Sequence, residues 1–157
     1  MVKELKQEYT RRITQANKTQ LIVILYEMFL TYTKDAREVC AESRIEFREN
    51  IRKARGCLDE LMASLDFEYE ISMNLLQLYL YANRELIHAD IRNNPKRLDE
   101  ADKVIRGLHE AYVQLAALDT SAPVMENTQT IYAGLTYGKN TLNEHLSDQG
   151  INRGFRV

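Results

Sequence analysis

The stretch ISMNLLQLYLYANRELIHA, residues 71–89, decides the fold of this chain. Wound as an α-helix at roughly 100° per residue, it places apolar side chains on two nearly opposite sides. The first side carries Ile71, Leu75, Leu78, Ala82, Leu86 and Ala89, and the other, which we call the second stripe, carries Met73, Leu76, Leu80 and Ile87. A helix at the edge of a small bundle needs only one buried stripe. The second stripe must therefore meet another helix, the chain's own tail or a partner.

Three more long helices are predicted around this one. Residues 17–20 and residues 43–46 each match the capping box, in which two polar residues three apart satisfy the backbone at a helix start. The Asn-Pro pair at residues 94–95 predicts a third start. Each start opens a run of apolar residues three and four apart, which is typical of an amphipathic helix. These runs are Leu21, Leu25, Met28, Tyr32, Ala36 and Val39 with a shorter stripe of Ile22, Phe29 and Thr33; Phe47, Ile51, Ala54, Leu58, Leu61 and Leu65; and Leu98, Ala101, Ile105, Leu108, Tyr112 and Leu115.

The links between these helices are short, which makes consecutive helices antiparallel neighbours. Each helix has about 22 residues and is roughly 33 Å long, and matched lengths favour a simple up-and-down path. No strand pattern competes before residue 119. We therefore expect an all-α fold, an antiparallel up-down four-helix bundle over residues 17–118.

Both ends of the chain fall outside this bundle. Residues 1–16 form an N-terminal arm in which Tyr9 and Ile13 are spaced four apart, so the arm forms a short helix or lies extended on a groove as a cap. Residues 119–157 form a partly ordered C-terminal tail with four of the six glycines. We expect a short helix in the tail that docks on the second stripe when no partner is present, against the alternative of a solvated tail. The apolar residues that suggest this helix are Val124, Ile131, Leu135 and Leu142.

Composition argues against several classes of protein. The chain has 157 residues, 45% hydrophobic and 28% charged, which is ordinary for one domain with a core. A formal charge of −2 gives no general attraction for nucleic acid or an anionic membrane. No apolar run is long enough to span a bilayer, and residues 1–12 lack the apolar region of a secretory signal. We expect a cytoplasmic protein with no nucleic-acid partner and no membrane insertion, in which Cys40 and Cys57 stay free thiols.

The only metal-like spacing is Glu85 with His88, which matches the Glu-x-x-His pattern of di-iron bundles. Such a site needs a second copy of the pattern, but Arg106 stands three residues before His109. The sequence also has no glycine-rich phosphate loop, no Cys-x-x-Cys pair and no recognisable nucleophile motif. We therefore expect no catalytic residues, no metal site and no cofactor.

Tyr9 and the segment ITQANKTQLIVILYE, residues 13–27, resemble the N-terminal signature of the flagellin-specific export chaperones, the FliS family. The sequence departs from that family at Gln15, Asn17 and Lys18, where Thr, Ser and Pro are usual, and at Tyr112, where tryptophan is common. Residues 67–70 lack the usual glycine pair. The resemblance covers residues 9–115. Further matches follow in the same order: Asn50-Ile51, Lys53-Ala54, Glu60-Leu61, Ser64-Leu65-Asp66, Asn74-Leu75, Leu78-Tyr79 and Tyr81.

The resemblance implies a cytoplasmic four-helix chaperone that uses no ATP or metal, binds the disordered C-terminal region of flagellin, prevents its premature polymerisation and presents it for export. An unfolded client can lay its apolar side on the second stripe. By position in the family, an N-terminal cap over the client groove falls on Tyr9 and Ile13. The client-binding residues that we expect are Met73, Leu76, Leu80, Ile87, Ile22 and Phe29.

Two other functions stay open. The second stripe would also suit a self-assembling structural bundle, in which it makes a homodimer or a larger oligomer. A di-iron bundle enzyme is the remote alternative, because half of its ligand pattern is absent. A component of the flagellar export gate is a second partner that the resemblance leaves open.

Overall fold

The computed structural model of the protein describes residues 1–125, and all regular secondary structure within them is α-helical. The helices are α1 (Lys3–Gln15), α2 (Lys18–Val39), α3 (Arg44–Ala63), α4 (Ile71–Arg92) and α5 (Arg97–Leu118). The chain divides into two compact units, Met1–Val124 and Met125–Val157, and these five helices belong to the first. The expected all-α class is confirmed for the described residues. Three positions of the expected tail helix, Ile131, Leu135 and Leu142, lie outside them.

Polar caps set where the helices begin. The capping box expected at α2 is present, because Asn17 Oδ1 accepts from the Gln20 N–H and Gln20 Oε1 accepts from the Asn17 N–H, both at 2.9 Å. Ser43 caps α3 through its Oγ, which accepts a backbone N–H at 3.2 Å. Helix α5 begins at Arg97, later than expected, because residues 94–96 form a hydrogen-bonded turn before it.

Each of the four long helices packs against two of the other long helices. Helix α2 contacts α3 and α5, α4 contacts the same two helices, and α1 contacts α2. Side-chain bonds show which ends meet: Arg44 at the start of α3 pairs with Asp90 near the end of α4, and Thr19 at the start of α2 donates to Asp119 just after α5. Helices α3 and α4 therefore run in opposite directions where they touch, and so do α2 and α5.

The core lies between α2, α3, α4 and α5. On α3 the expected seam is confirmed in five positions, since Phe47, Ile51, Ala54, Leu58 and Leu61 are all fully buried. Leu65 lies just beyond the end of the helix and is half-buried. Phe47 and Leu61 mark the two ends of the seam, so α3 contributes to the core along most of its length.

Helix α2 buries a different arc from the one that the sequence suggested. Leu21, Leu25 and Met28 are only half-buried, whereas Phe29 and Thr33, from the shorter stripe, are fully buried. The prediction for α2 is confirmed at Tyr32 and Ala36, which are buried, but it misplaced the centre of the buried arc, because this helix packs against both α3 and α5. The centre of its buried arc therefore lies between the two expected stripes.

Helix α4 departs from the expected core seam at two positions. Ile71 and Leu78 are exposed, and Tyr79 is fully buried although it was not part of that seam. The hydroxyls of Tyr79 and Tyr26 lie 2.6 Å apart and share a hydrogen bond. A tyrosine can be buried when its hydroxyl finds a partner, and this pair satisfies both residues. Burial raises the pKa of both phenols, that of Tyr79 to about 12.

A second buried polar contact ties α2 to α5. Thr33 Oγ1 donates to Asp102 Oδ1 at 2.7 Å, and Arg37 Nη2 lies 2.8 Å from Asp102 Oδ2. Burial raises the pKa of Asp102, while the Thr33 hydrogen bond and the Arg37 charge oppose that shift. Because a buried carboxylate is costly without partners, this contact favours one register of α2 against α5.

Candidate functional site

The second stripe lies on the side of α4 that points away from the core. Met73 and Leu80 are 51% and 41% exposed, and Leu76 and Ile87 are half-buried. Ile91, one turn beyond Ile87, is also exposed and extends the stripe toward the end of α4. Since Leu75, Ala82 and Leu86 fill the core from the opposite side of the same helix, the second stripe is not needed to close the core.

The expected cap residues lie on α1, which covers part of α2. Tyr9 is buried, and its Oη lies 3.3 Å from Thr31 Oγ1 on α2. Ile13 is half-buried and packs with Ile24 in a small apolar cluster apart from the main core. Arg12 pairs with Glu27 on α2, with Nη2 3.2 Å from Oε1. Of the two forms that the sequence left open for the arm, the structure shows the helix.

A small cavity of about 280 Å³, lined mostly by apolar side chains, lies between α1, α2 and the end of α3. Ile13 and Ile22 both line it, so the structure brings one expected cap residue and one expected client-binding residue together. Ile22 lies there with residues of α1 and α3, whereas the second stripe lies on α4. Phe29 is fully buried in the main core and is not part of either surface. We leave Phe29 out of the surface that we propose for a client.

The link between α1 and α2, residues 16–17, forms hydrogen bonds with the segment that follows α5; we call this link the α1–α2 joint. Asn17 Nδ2 donates to the backbone oxygens of Asp119 and Ser121, at 3.2 and 3.4 Å. The Val124 N–H donates to the Ala16 oxygen at 3.0 Å. Ser121 and Thr19 donate hydrogen bonds to the Asp119 carboxylate, which lowers its pKa. We call these hydrogen bonds between residues 16–19 and residues 119–124 the clasp. Sequence patterns could not reveal the clasp, because its two sides are about a hundred residues apart along the chain.

A groove between α4 and α5 could not be predicted from the sequence either. Its cavity volume is about 510 Å³, and Leu78, which was expected in the core, lines it. Val104 and Leu108 of α5 contribute apolar surface, while Glu100 and Lys103 contribute one charge of each sign. Only the assembled helix pair reveals the groove, because its two walls come from different helices.

The described residues hold no group of three or more histidine, cysteine or acidic side chains that could bind a metal ion. His88 is exposed, and its Nδ1 lies 3.9 Å from Glu85 Oε1. Glu85 Oε2 also accepts from Arg97 Nη1 at 3.4 Å. Glu85 therefore pairs with Arg97 at the α4–α5 boundary, and His88 lies beside that pair.

Neither cysteine of the chain is in a disulfide. Cys57 is buried, and its burial raises the pKa of the thiol to about 12, while Cys40 is half-buried. Across residues 1–125, no helix is long and apolar enough to cross a membrane.

Comparison with known proteins gives one family. A family model described as flagellar protein FliS matches residues 1–119, which include all the helices of the described chain. A flagellar secretion chaperone FliS from Bacillus subtilis strain 168 is 26% identical over 103 residues, covering 65% of this chain and 77% of the relative. Another with the same description, from Salmonella typhimurium strain LT2, is 30% identical over 108 residues, covering 66% of this chain and 80% of the relative.

Proposed function

The chain belongs to the FliS family, and from that premise we propose that it is a flagellar secretion chaperone for flagellin. In this proposal it binds the disordered C-terminal region of flagellin in the cytoplasm, prevents premature polymerisation and assists export. The family is one of chaperones and not of enzymes, so the chain is not an enzyme.

The observation that carries this proposal is the exposed second stripe. Met73 and Leu80 present apolar surface on a helix whose other side already fills the core. Apolar surface gains roughly 25 cal/mol for each Å² removed from water, so a client that covers this stripe gains binding free energy along the length of α4. An unfolded amphipathic segment suits such a surface, because it can follow a helix without first breaking contacts of its own.

We further propose that α2, α3, α4 and α5 form an antiparallel up-down four-helix bundle, residues 17–118. In this division residues 1–16 are an arm and residues 119–157 are a tail. The contacts of α2 and α4 with both α3 and α5 support it, as does the meeting of Arg44 with Asp90. Such a bundle gives the rigid support on which a flexible client can be ordered.

The arm has a role in the same proposal. Tyr9 packs on α2, and Ile13 lines the same cavity as Ile22, so α1 acts as a cap over a second apolar surface. A client that displaced α1 would gain access to Ile22, which also packs against the main core. We propose the second stripe as the primary client surface and the α1 site as its extension.

Binding of a flagellin peptide tests the function. We expect a synthetic peptide of the flagellin C-terminal region to bind the full chain with a one-to-one stoichiometry, measured by size-exclusion chromatography with light scattering and by calorimetry. A chain that forms a homodimer through the second stripe and ignores the peptide would instead support the self-assembling bundle. Peptide binding that persists unchanged in Leu80→Asp would move the client to another surface.

An export-gate component is the second partner in this proposal. The complex of chaperone and peptide should then bind the cytoplasmic part of an export-gate protein more tightly than the free chaperone does. A pull-down with purified gate domain, with and without peptide, distinguishes the two affinities. Equal recovery in both cases would remove this part of the proposal.

A further inference from the structure

Four arginines follow one face of α3. Arg44, Arg48, Arg52 and Arg55 are spaced four, four and three residues apart, which places them on one side of a helix, and we call them the arginine row. The side chains of Arg48 and Arg52 are largely exposed. The row therefore presents guanidinium groups to the surface along about three turns of α3.

The arginine row lies directly beside the second stripe. Arg55 Nε donates to Asn83 Oδ1 at 2.9 Å, and Arg48 Nε lies 3.1 Å from Asp90 Oδ1. Asn83 and Asp90 are each one turn from Ile87 on α4, four residues before it and three residues after it. Two members of the row thus contact α4 within one turn of Ile87, at the edge of the second stripe.

A cavity lies along the row in the first half of α3. This cavity has a volume of about 400 Å³, and its lining includes Ile45 and Ile51 together with Arg48, Arg52 and Arg55. Apolar side chains and guanidinium groups therefore line the same concave surface. That combination suits a ligand with an apolar side and an acidic edge.

Positive charge exceeds negative charge along this wall. Arg44 and Arg48 share one carboxylate, Asp90, and Arg52 pairs with Glu49 at 2.7 Å. Within residues 1–125, no carboxylate lies at ion-pair distance from Arg55, whose Nε bonds to an amide instead. The row is a local excess of positive charge on a chain whose formal charge is −2.

We infer that the segment bound on the second stripe is an amphipathic helix with acidic residues along the edge that faces α3. This inference rests on the proposed use of the second stripe as the client surface. The apolar side of the segment covers Leu76, Leu80 and Ile87, and its acidic edge pairs with the arginine row. A nucleic acid would also meet the arginines, but it would leave the apolar stripe in water.

The arginine row sets orientation as well as affinity. A single exposed ion pair contributes little to binding, but several pairs along one edge add up, and charge placed on one side of an apolar stripe discriminates between the two ways in which a helix can lie on it. Guanidinium groups also accept carboxylates in a fixed two-bond geometry, which favours one register. The bound helix therefore has one preferred direction along α4.

Three synthetic helical peptides test the inference on the full chain. The first has an apolar stripe and glutamates along one edge, the second has lysines at those glutamate positions, and the third keeps the glutamates but has serines in the stripe. We expect the first to bind about tenfold more tightly than the second at low salt, and we expect the third not to bind. Equal binding of the first two peptides would overturn the inference.

Charge reversal on the protein locates the contact. The double variant Arg52→Glu, Arg55→Glu should lose about tenfold in affinity for the glutamate peptide and gain affinity for the lysine peptide. Lys103→Glu, on the α4–α5 groove, is the control and should change neither affinity. Circular dichroism of the variants establishes that the helices remain intact. If Lys103→Glu has the same effect as the double variant, the attraction is general and the inference fails.

The flagellin C-terminal peptide separates this inference from the proposed function. If it binds, loses affinity in Leu80→Asp and is unaffected by the double arginine variant, the function stands and the acidic edge is wrong. If the glutamate peptide behaves as expected but the flagellin peptide does not bind, the inference stands and the client is another protein. A 20-nucleotide RNA that binds more tightly than the glutamate peptide, and loses affinity in the double arginine variant, would overturn the inference in favour of nucleic acid.

Discussion

The side chain of Asn17 joins two parts of the protein that are 102 residues apart in sequence, because its Nδ2 donates to the Asp119 backbone oxygen at 3.2 Å. Its Oδ1 meanwhile accepts the Gln20 N–H and caps α2. One amide group therefore closes the start of a helix and fastens the segment that leaves α5. Serine is an equally good cap but has no amide nitrogen to donate to the Asp119 and Ser121 oxygens.

Substitutions at Asn17 should separate these two roles. Asn17→Ser keeps a cap but loses the bonds to Asp119 and Ser121, and we expect it to cost about 0.5 to 1.5 kcal/mol in the free energy of unfolding. Asn17→Ala also loses the cap and should cost about 1 kcal/mol more. Urea denaturation measures both values. Equal stabilities of the two variants would mean that the cap contributes nothing.

Leu80 and Leu78 form a matched pair for testing the client surface. They are 41% and 38% exposed on the same helix, but Leu80 belongs to the second stripe and Leu78 lines the α4–α5 groove. We expect Leu80→Asp to weaken binding of the flagellin peptide by about tenfold or more, while Leu78→Asp leaves it unchanged. Neither should lower the melting temperature by more than a few degrees, because both sites are accessible to water. Loss of binding in both variants would argue against a specific stripe.

Leu61 tests the core. It is fully buried, so Leu61→Ala should cost about 2 to 5 kcal/mol in the free energy of unfolding. Leu25→Ala should cost less, because Leu25 is only half-buried and part of its side chain is already in water. Chemical denaturation followed by circular dichroism gives both numbers. A cost below about 1 kcal/mol for Leu61→Ala would contradict the close packing of α3 in the core.

Asp102 should make stability depend on pH in a defined direction. Its pKa is raised above the ordinary value of 3.8, so the folded protein binds this proton more tightly than the unfolded chain does. The resulting contribution to stability is fully present below the ordinary pKa and is lost as pH rises through the raised one. Relative to Asp102→Asn, the wild-type protein should therefore gain stability as pH falls toward that ordinary value. A stability difference that stays constant with pH would show that the carboxyl titrates normally.

The two cysteines should react at very different rates. Burial raises the pKa of the Cys57 thiol to about 12, so little thiolate is present at neutral pH and the group is inaccessible. Cys40 is half-buried near the end of α2. We expect one thiol to react with an aromatic disulfide reagent in the native protein and the second only after unfolding. Cys40→Ser, which leaves Cys57 alone, is the control and should abolish the fast phase.

The buried face of α3 could be predicted from the sequence because all its core residues meet one continuous interior. Phe47, Leu58 and Leu61 repeat at helical spacing, and the helix has no competing apolar side. On α2 the same reasoning succeeded only in part: Tyr32 and Ala36 are buried as expected, but apolar residues occur on both sides of the helix and sequence alone does not say which arc the neighbours cover. The burial of Phe29 follows from two helices packing on α2 at once.

The candidate surface was predictable in part for a similar reason. The periodicity of α4 indicated that Met73 and Leu80 share a face, and this depends only on local geometry. The position of the arginine row beside Ile87 depends on how α3 and α4 pair, which no local pattern contains. The exposure of Leu78 likewise reflects the groove that α4 forms with α5, which no pattern in the α4 sequence contains.

The clasp at Asn17 has a consequence for the order in which the protein is made. A ribosome synthesises the chain from its N-terminus, so α1 and α2 emerge long before Asp119, Ser121 and Val124. The Ala16 oxygen and the Asn17 amide must be satisfied by water until that segment arrives. The α1–α2 joint is therefore among the last parts of the described chain to become locked, and a nascent chain arrested before residue 119 should carry a loosely attached first helix.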